Sequence, residues 1–415
     1  MFAPLEKTAL RRPPYLILIC LSLLIFLAQG CATLGRHQVL PANLEDQVQV
    51  PGLPDVRDWA DAPSKILLKS AMESLEQEKA ANHGKLEPVV YGLALSGGGG
   101  DGAFGAGLLC GWSAAGTRPT FKLVTGISTG ALISPFAFLG PAYDQKLKEA
   151  YTTISDKDIY TSHSILAIVL SLANVRALPS MASTKPLAKL LAKLIDAKML
   201  EDVAAEHLKG RRLLVGTTQL DAQRLVIWDM GAIAVSNYPH KLELFRKILL
   251  ASASIPAAFN PQFFTVTAGG REFQEMHVDG GVRVEVMLYE DAIKPFSIGG
   301  KRDRKLYIIR NEKVYPRWEG VKPQLMNIAA RAIDSLIKAQ GVGDLYRLYV
   351  YAQRDGLDYN VAYIPPDLPF KSKSEFDTHY MNQLFDYAYN LAKAGYPWIK
   401  HPPDFDPNKF GSVRR

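Results

Sequence analysis

Three glycine-containing motifs, each at a junction of local patterns, constrain this fold more than any other feature. The apolar run VVYGLAL (89–95) is typical of a buried strand and is followed by SGGGGDGAFGAG, which leads into a helical pattern ending near Ala115. A second strand pattern, FKLVTGIS (121–128), precedes the helical pattern of TGALISPFAFLG, and a third motif, DGG (279–281), follows FQEMHV. Strands that alternate with helices predict a mostly parallel sheet covered by helices on both faces.

The remaining segments continue this alternation. Strand patterns occupy 211–220, 224–234 and 305–311, and helical patterns occupy 241–254, 323–340 and 375–394. Pro135 is expected to kink the helix after the second strand or to end it early, because proline cannot donate a backbone hydrogen bond. The sequence shows no internal repeat.

The first motif is a run of four glycines, then Asp101 and Gly102. It satisfies G-x-G-x-x-G in the context of a dinucleotide site, but that site needs an acidic residue about 20 positions later, and none occurs between Asp101 and Asp144. A phosphate-binding P-loop is excluded because Ala103 and Phe104 replace its Lys and Ser/Thr. Two interpretations remain: a loop of backbone N–H groups suited to an oxyanion, or a turn required only for tight packing.

The second motif, Gly126-Ile127-Ser128-Thr129-Gly130, has the form G-x-S-x-G. Such a pattern arises by chance in roughly one chain in ten of this length, given glycine at about 7% of residues. Its position between a strand and a helix is more informative, because small flanking residues permit the sharp turn that exposes a nucleophilic Ser oxygen. The motif therefore predicts Ser128 as a nucleophile.

A base is needed to activate such a serine. A D-G-G tripeptide is most often only a turn, but Asp279 is also a candidate for this role. A histidine-containing triad is the alternative; His379, in a helical pattern, and His401, in a proline-rich tail, are the histidines that follow Asp279. His277 is expected on the same strand face as Asp279, either as a structural neighbour or as a proton shuttle.

These motifs in this order, with ASASIPAAFNP (251–261) between the last two, resemble the patatin-like phospholipase family, and most closely its bacterial lipoprotein branch. The resemblance runs from about residue 89 to about 395. It implies a three-layer α/β/α patatin-like domain with a mostly parallel central sheet. The family often has Lys or Arg where this chain has Asp101, which puts cationic assistance to an oxyanion in doubt.

The resemblance also assigns the site. It implies that Ser128 is the nucleophile and Asp279, the first residue of the Asp279-Gly280-Gly281 motif, is the proton acceptor. It implies a nucleophile elbow flanked by Gly126 and Gly130, and no metal or cofactor. The oxyanion hole is expected at Gly97, Gly98, Gly99, Gly100 and Gly102.

The first thirty residues predict a targeting signal. Lys7, Arg11 and Arg12 precede a thirteen-residue apolar run (15–27), which is short for a membrane span of about 20 residues. The segment Ala28-Gln29-Gly30-Cys31 resembles a bacterial lipobox, although Leu is usual where Ala28 stands. We expect lipidation at Cys31 on the periplasmic side of a bacterial envelope membrane, inner or outer; a signal anchor and simple secretion are the alternatives.

Composition and charge fit this interpretation. The 415 residues are 48% apolar and 21% charged, which excludes a disordered or collagenous chain, and the three cysteines leave Cys110 as the one free thiol after cleavage and lipidation. A net charge of +7 suits an anionic membrane surface and does not by itself indicate nucleic acid. We expect four parts: a signal peptide (1–30), a tether with a covering helix (31–88), an acylhydrolase domain (89–395) and a tail (396–415).

Three further segments have a possible relation to lipid. The apolar stretch 165–175 is either a buried helix or a lid over an acyl-chain pocket. Leucines and an isoleucine at helical spacing in 187–195 predict a core helix or a membrane-surface helix. The basic run at 301–305 is either a solvated turn or a phosphate-facing patch.

The sequence thus predicts a serine acylhydrolase that cleaves carboxylic esters of lipids or phospholipids through a Ser-Asp pair and an acyl-enzyme. Its expected partners are a lipid substrate and the membrane that its anchor reaches, without nucleic acid. A catalytically weak lipid-binding envelope lipoprotein on the same fold is the alternative function.

Overall fold

The computed structural model describes residues 38–162, 182–256, 258–288 and 302–405. Over these residues, a sheet of nine strands has helices on both faces, and a separate two-stranded pair lies apart from it. The strands are β1 (Arg57–Trp59), β2 (Val89–Leu95), β3 (Leu123–Gly126), β4 (Thr161–Ser162), β5 (Ala182–Ser183), β6 (Arg212–Gln219), β7 (Arg224–Asp229), β8 (Gln262–Ala268), β9 (Arg271–Asp279), β10 (Asp303–Lys313) and β11 (Asp358–Ile364).

The helices include those predicted after the first two strands and at the end of the chain. In chain order they are α1 (Lys65–Ala81), α2 (Ala103–Ala114), α3 (Thr129–Leu139), α4 (Asp144–Thr152), α5 (Asp156–Ile159), α6 (Lys185–Leu194), α7 (Ala197–Leu208), α8 (Met230–Val235), α9 (Lys241–Ser252), α10 (Leu325–Asp355) and α11 (Thr378–Lys393).

The large sheet has a parallel centre with antiparallel flanks. Its strand order is β1-β7-β6-β3-β2-β10-β11, and the five strands from β6 to β11 in this order are parallel to their neighbours. Strands β7 and β1 continue antiparallel at one edge. The prediction of a three-layer fold with a mostly parallel central sheet is confirmed.

Successive side chains of β2 enter opposite halves of the core, as the strand period of two requires. Leu93 and Leu95 pack on the face covered by α2, α3 and α11, whereas Val90 and Ala94 pack on the face covered by α1 and α10. Because both faces are buried, the strand reads as a continuous apolar run.

The β8–β9 hairpin brings the DGG motif to the centre of the sheet. Strand β6 pairs with β3 as far as Val215, opposite Gly126, and its following residues pair with β9, with Thr217 opposite Asp279. Strand β9 therefore pairs with β6 beyond the point at which β3 ends. This arrangement places Asp279 beside the residues that follow Gly126.

The expectation that Pro135 ends its helix early is wrong. Helix α3 continues to Leu139. Pro135 has no N–H for the carbonyl of Ala131, and the Ser134 hydroxyl donates to that carbonyl instead at 2.9 Å. The local side-chain bond replaces the missing backbone bond.

Two further boundaries differ from the sequence predictions. The apolar segment 224–234 is not one strand, because Asp229 caps helix α8 by accepting a bond from Ala232 N at 2.9 Å. The basic run at 301–305 is not a turn in its described part, since β10 begins at Asp303 and Arg302 pairs with Glu78 at 3.0 Å.

The segments predicted to be a tether and a tail contribute to the fold. Strand β1 extends the sheet by pairing with β7, and Ile399 pairs with Val361 of β11. Trp398 packs on the ring of Trp112, with centroids 4.9 Å apart. Residues 57–59 and 398–399 are therefore structural parts of the domain.

The amphipathic segment at 187–195 forms α6, and its Leu187, Leu191 and Ile195 side chains are buried in the core. The core-helix interpretation is therefore confirmed. The predicted signal peptide, Cys31 and the apolar stretch 165–175 lie outside the described residues. Within the described residues, no helix combines the length and apolarity needed to cross a bilayer.

Candidate active site

Ser128 lies on a sharp turn between β3 and α3. Its backbone has φ 52° and ψ −125°, a conformation that is strained for any residue with a side chain. A side chain on Gly126 would lie 2.5 Å from the carbonyl oxygen of Gly130, and one on Gly130 would lie 2.4 Å from that of Leu95. The two glycines of the motif therefore permit the strand, the turn and the helix to approach closely enough to hold Ser128.

Ser252, the last residue of α9, holds this turn from the other side. Its hydroxyl accepts a bond from Ser128 N at 3.0 Å and donates to the carbonyl of Gly216 at 2.7 Å. Ser252 lies in the 251–261 block, and no motif in the sequence assigns it a role. Its position directly before the predicted end of a helix was the available signal.

Asp279 is fixed at the end of β9 by its own backbone and by one carboxylate oxygen. Its N–H donates to the carbonyl of Ser254 at 2.9 Å, and Oδ1 accepts from Gly281 N at 2.7 Å. Oδ2 is buried and makes no hydrogen bond of ordinary geometry within the described residues. One oxygen thus holds the side chain in place while the other is available for a proton.

The side chains of Ser128 and Asp279 are brought together, as the sequence predicts. Burial raises the pKa of Asp279 to about 7, and the nearby Ser128 side chain and the Gly281 N–H moderate this rise by stabilising the charged form. Hydrogen bonds of catalytic pairs are often loose without substrate, so the lack of an ideal Ser128–Asp279 bond is compatible with proton transfer. The pair combines a strained serine with a buried carboxylate.

The predicted oxyanion loop has two distinct ends. A side chain on Gly97 would lie 2.9 Å from Cβ of Ser128, so this end of the loop adjoins the candidate nucleophile. Side chains on Gly99 and Gly100 would instead overlap Glu375, at 1.9 and 2.2 Å. Of the glycines at these two ends, Gly97 is thus the one that lies beside the Ser128 side chain.

Two other glycines of the loop make room for structural neighbours. Gly98, with φ 145°, packs directly against the carbonyl oxygen of Asn311 at the end of β10. Gly102 packs against Thr129, the residue after the serine. The loop is therefore clamped between β10 and α3.

Asp101 occupies the position where the resembling family often has a cation. Its carboxylate accepts a bond from the Tyr380 hydroxyl at 2.8 Å, and burial raises its pKa to about 6. The guanidinium of Arg317 partly stabilises its charge. Asp101 thus links the glycine loop to α11.

The histidines are engaged elsewhere. Both ring nitrogens of His277 are bonded, Nδ1 to the Thr217 hydroxyl at 2.9 Å and Nε2 to Glu275 at 3.1 Å, and burial lowers the pKa of the ring. His379 is exposed at the start of α11, and His401 lies beside the carbonyl of Pro402. No contact between these rings and Ser128 is observed in the described residues.

Glu285 is a buried carboxyl group that sequence analysis did not select. It lies six residues after Asp279, against both Gly97 and Gly281. A glutamate in the otherwise apolar segment VEVML was the available signal. Within the described residues, no group of three or more His, Cys, Asp or Glu side chains is arranged to hold a metal ion.

Comparison with protein families gives one match. Residues 93–289, which include Ser128, Asp279 and the whole glycine loop, match the family model of the patatin-like phospholipases. No curated protein matches this chain.

Several solved structures match part of this chain. VipD from Legionella pneumophila is 12% identical, with 74% of this chain and 67% of that chain covered and a TM-score of 0.35. Human GIVD cytosolic phospholipase A2 is 10% identical, with 85% and 64% covered and a TM-score of 0.36. The type III effector protein ExoU is 12% identical, with 74% and 54% covered and a TM-score of 0.25. This chain therefore spans between about half and two thirds of their lengths.

Proposed function

We propose that this protein is a serine acylhydrolase that cleaves carboxylic ester bonds of lipids, with Ser128 as nucleophile and Asp279 as proton acceptor. The observation that carries the proposal is the buried Asp279 carboxylate, with one unbonded oxygen, beside a serine on a strained turn. The family match over residues 93–289 supports lipids as the substrate class.

The reaction begins with transfer of the Ser128 proton to Oδ2 of Asp279 as Oγ attacks the ester carbonyl. A serine hydroxyl is a poor nucleophile without such a base. With a pKa of about 7, Asp279 is a stronger base than an exposed aspartate, while still being largely ionised at slightly alkaline pH. The tetrahedral intermediate collapses to the acyl-enzyme, and the proton goes to the departing alcohol. Water then attacks the acyl-enzyme with the same assistance.

Negative charge on the carbonyl oxygen is stabilised by backbone N–H groups at the Gly97 end of the glycine loop. This end adjoins Ser128, and the start of α3 directs its own N–H groups toward the same region. One such donor typically contributes about 3–4 kcal/mol to the transition state. Backbone donors at this end serve the oxyanion although Asp101 replaces a cation.

The test compares Ser128→Ala and Asp279→Asn with the wild type in ester turnover and in labelling by a fluorophosphonate probe. Ser128→Ala should abolish labelling. Asp279→Asn should reduce acylation by about 10²–10⁴-fold, the usual contribution of a general base. His379→Ala and His401→Ala are matched controls that should change rates by a few-fold at most.

Two outcomes contradict the proposal. A near-normal rate in a folded Asp279→Asn variant together with a dead histidine variant would favour a triad. A folded wild type that is neither labelled nor active would favour the lipid-binding lipoprotein.

We also propose that Cys31 carries a lipid anchor, which places the domain at a bacterial envelope membrane. The proposal rests on the apolar run that ends in Ala28-Gln29-Gly30-Cys31. Cys31→Ser should abolish incorporation of labelled palmitate and leave the precursor uncleaved. Palmitate incorporation that persists in this variant would contradict the proposal.

A further inference from the structure

The carboxyl group of Glu285 lies between the two loops that carry the proposed chemistry. A side chain on Gly97 would lie 2.5 Å from its Oε1, and one on Gly281 would lie 2.2 Å from its Oε2. The side-chain carbon built on Gly281 would also lie 3.1 Å from Oδ1 of Asp279. Glu285 therefore fits beside the proposed base, Asp279, because both Gly97 and Gly281 lack a side chain.

Few positive charges are available to neutralise this carboxyl group. Arg310 of β10 donates to Oε1 at 2.6 Å, but the same guanidinium also binds Glu312. Lys338 of α10 is 2.9 Å from Glu312. Arg310 is thus shared between Glu285 and Glu312, whereas Lys338 supplies a second positive charge to Glu312 alone.

The other charged groups around Glu285 are already paired. Asp344 of α10 accepts bonds from the backbone N–H groups of Glu285 and Val286, at 2.7 and 3.0 Å, and pairs with Arg347 at 2.9 Å. On the β9 side, Glu285 faces Asp279, which has no cationic partner among the described residues. Glu285 and Asp279 are thus two buried carboxyl groups close to each other.

Two carboxyl groups in such a site do not both ionise easily, because each charge opposes the other and water is excluded. Burial, with a smaller effect from Asp279, raises the pKa of Glu285 to about 8, although Arg310 opposes the change. Because the charge of Asp279 opposes that of Glu285, the second of the two carboxyl groups ionises at a higher pH than the first.

We propose that Glu285 is a positioning residue of the acylhydrolase site, which keeps its proton while Asp279 acts as base and halts turnover when it ionises. The inference rests on the proposed function. When Glu285 loses its proton, a second negative charge arises against Gly97, where the oxyanion forms. That charge destabilises the transition state, so the site is active with one negative charge and inactive with two.

The inference predicts a bell-shaped dependence of kcat/KM on pH. The acid limb reports ionisation of Asp279 and the alkaline limb reports ionisation of Glu285. Above the alkaline midpoint, the rate should fall about tenfold per pH unit. A site with a single Asp base would instead reach a plateau.

The experiment measures hydrolysis of p-nitrophenyl butyrate between pH 5 and 10 by the wild type, Glu285→Gln and Glu312→Gln. Glutamine at 285 has the size of glutamate and cannot ionise, so the alkaline limb should disappear while the acid limb remains. Glu312→Gln is the matched control, because it removes a carboxylate from the same arginine. Arg310 then serves Glu285 alone, so the alkaline limb should persist and move to lower pH.

An alkaline limb that stays in place in Glu285→Gln, or that is missing in the wild type, would overturn the inference. A second measurement, the urea midpoint of unfolding at pH 5 and pH 8, does not depend on turnover. A carboxyl group that holds its proton in the folded state stabilises the protein less as pH rises, so the wild-type midpoint should fall more than that of Glu285→Gln.

Equal falls in the two proteins would overturn the inference even if the enzyme is active. Conversely, a wild type that shows no turnover at all would contradict the proposed function. The urea midpoints would still decide whether Glu285 holds a proton. The two failures are therefore distinguishable.

Discussion

At the scale of single residues, the hydroxyl of Ser252 connects the backbone of Ser128, the proposed nucleophile, to the backbone of Gly216. Ser252→Ala would leave the N–H of Ser128 and the carbonyl of Gly216 without this partner in a buried site. We expect a loss of about 1–3 kcal/mol in the free energy of unfolding. We also expect a fall of about tenfold in kcat/KM, since the serine turn loses a restraint.

Ser254→Ala is the matched control for this prediction. The Ser254 hydroxyl donates only to the helix carbonyl of Leu250, and its own carbonyl, which binds Asp279 N, remains in the variant. Urea unfolding and ester turnover of both variants decide the matter. Equal effects of the two substitutions would show that Ser252 has no special role at the turn.

The raised pKa of Asp279 predicts a dependence of stability on pH. Its folded pKa of about 7 lies above that of an exposed aspartate, so its contribution to stability is present below about pH 4 and is lost as pH rises through 7. Because the amide of Asp279→Asn cannot ionise, the variant does not lose this contribution to stability as pH rises. Between pH 5 and 8, the variant should gain up to about 3 kcal/mol in unfolding free energy relative to the wild type. If the unfolding free energies of the wild type and the variant changed in parallel with pH, the raised pKa of Asp279 would be contradicted.

Sequence patterns could single out Ser128 and Asp279 as candidates because each lies in a short motif at a junction of elements. Ser252 and Glu285 could not be identified in this way. Their roles depend on which backbone atoms or glycines face them, and those neighbours come from distant segments. Strand register decides which residues lie opposite each other across a sheet, and local sequence patterns do not encode the register.

At the scale of elements, helix α10 contains two glycines with opposite expected roles. A side chain on Gly341 would lie 2.7 Å from the guanidinium carbon of Arg310, whereas one on Gly343 would meet no atom within 4 Å. Gly343→Ala should therefore stabilise the protein by about 0.5–1 kcal/mol, the usual gain of Ala over Gly in a helix.

Gly341→Ala should instead destabilise the protein by about 1–3 kcal/mol, because it displaces a buried arginine. Thermal unfolding of both variants tests the pair. Stabilisation by Gly341→Ala would mean that Arg310 is free to move away, which would also weaken the inference on Glu285.

Helices and buried parallel strands could be predicted because their periods are visible over many residues. Strands β8 and β11 were not predicted, and of β9 only a strand containing His277 and Asp279 was expected. Strands β8 and β9 mix polar and apolar residues on partly exposed faces, which weakens their pattern. The end of β7 was misassigned because apolar residues continue into α8 and the capping role of Asp229 depends on one side-chain bond.

At the scale of the whole molecule, a buried ion pair joins the N-terminal segment to the strand that carries Asp279. Arg57 of β1 binds Glu275 of β9, with both side chains excluded from solvent, and Glu275 also binds His277. Arg57→Gln leaves a buried carboxylate without its cation. We expect a loss of about 3–5 kcal/mol in unfolding free energy.

Lys69→Gln is the control for this prediction, because Lys69 and its partner Asp55 are exposed, and exposed pairs of this kind contribute little to stability. Chemical denaturation of both variants gives the comparison. Similar small losses in the two would show that the N-terminal segment is not needed to hold β9.

Helix α2, which follows the glycine loop, packs on α11 through two glycines. Side chains on Gly107 and Gly111 would overlap the backbone of Phe385 and Tyr389, at 2.2 and 2.1 Å. The partners of this contact lie far apart in the chain, so α2 lacks its α11 partner until the segment that forms α11 has been synthesised. The glycine loop therefore acquires its final support late, and a nascent chain that already contains Ser128 and Asp279 would lack a completed site.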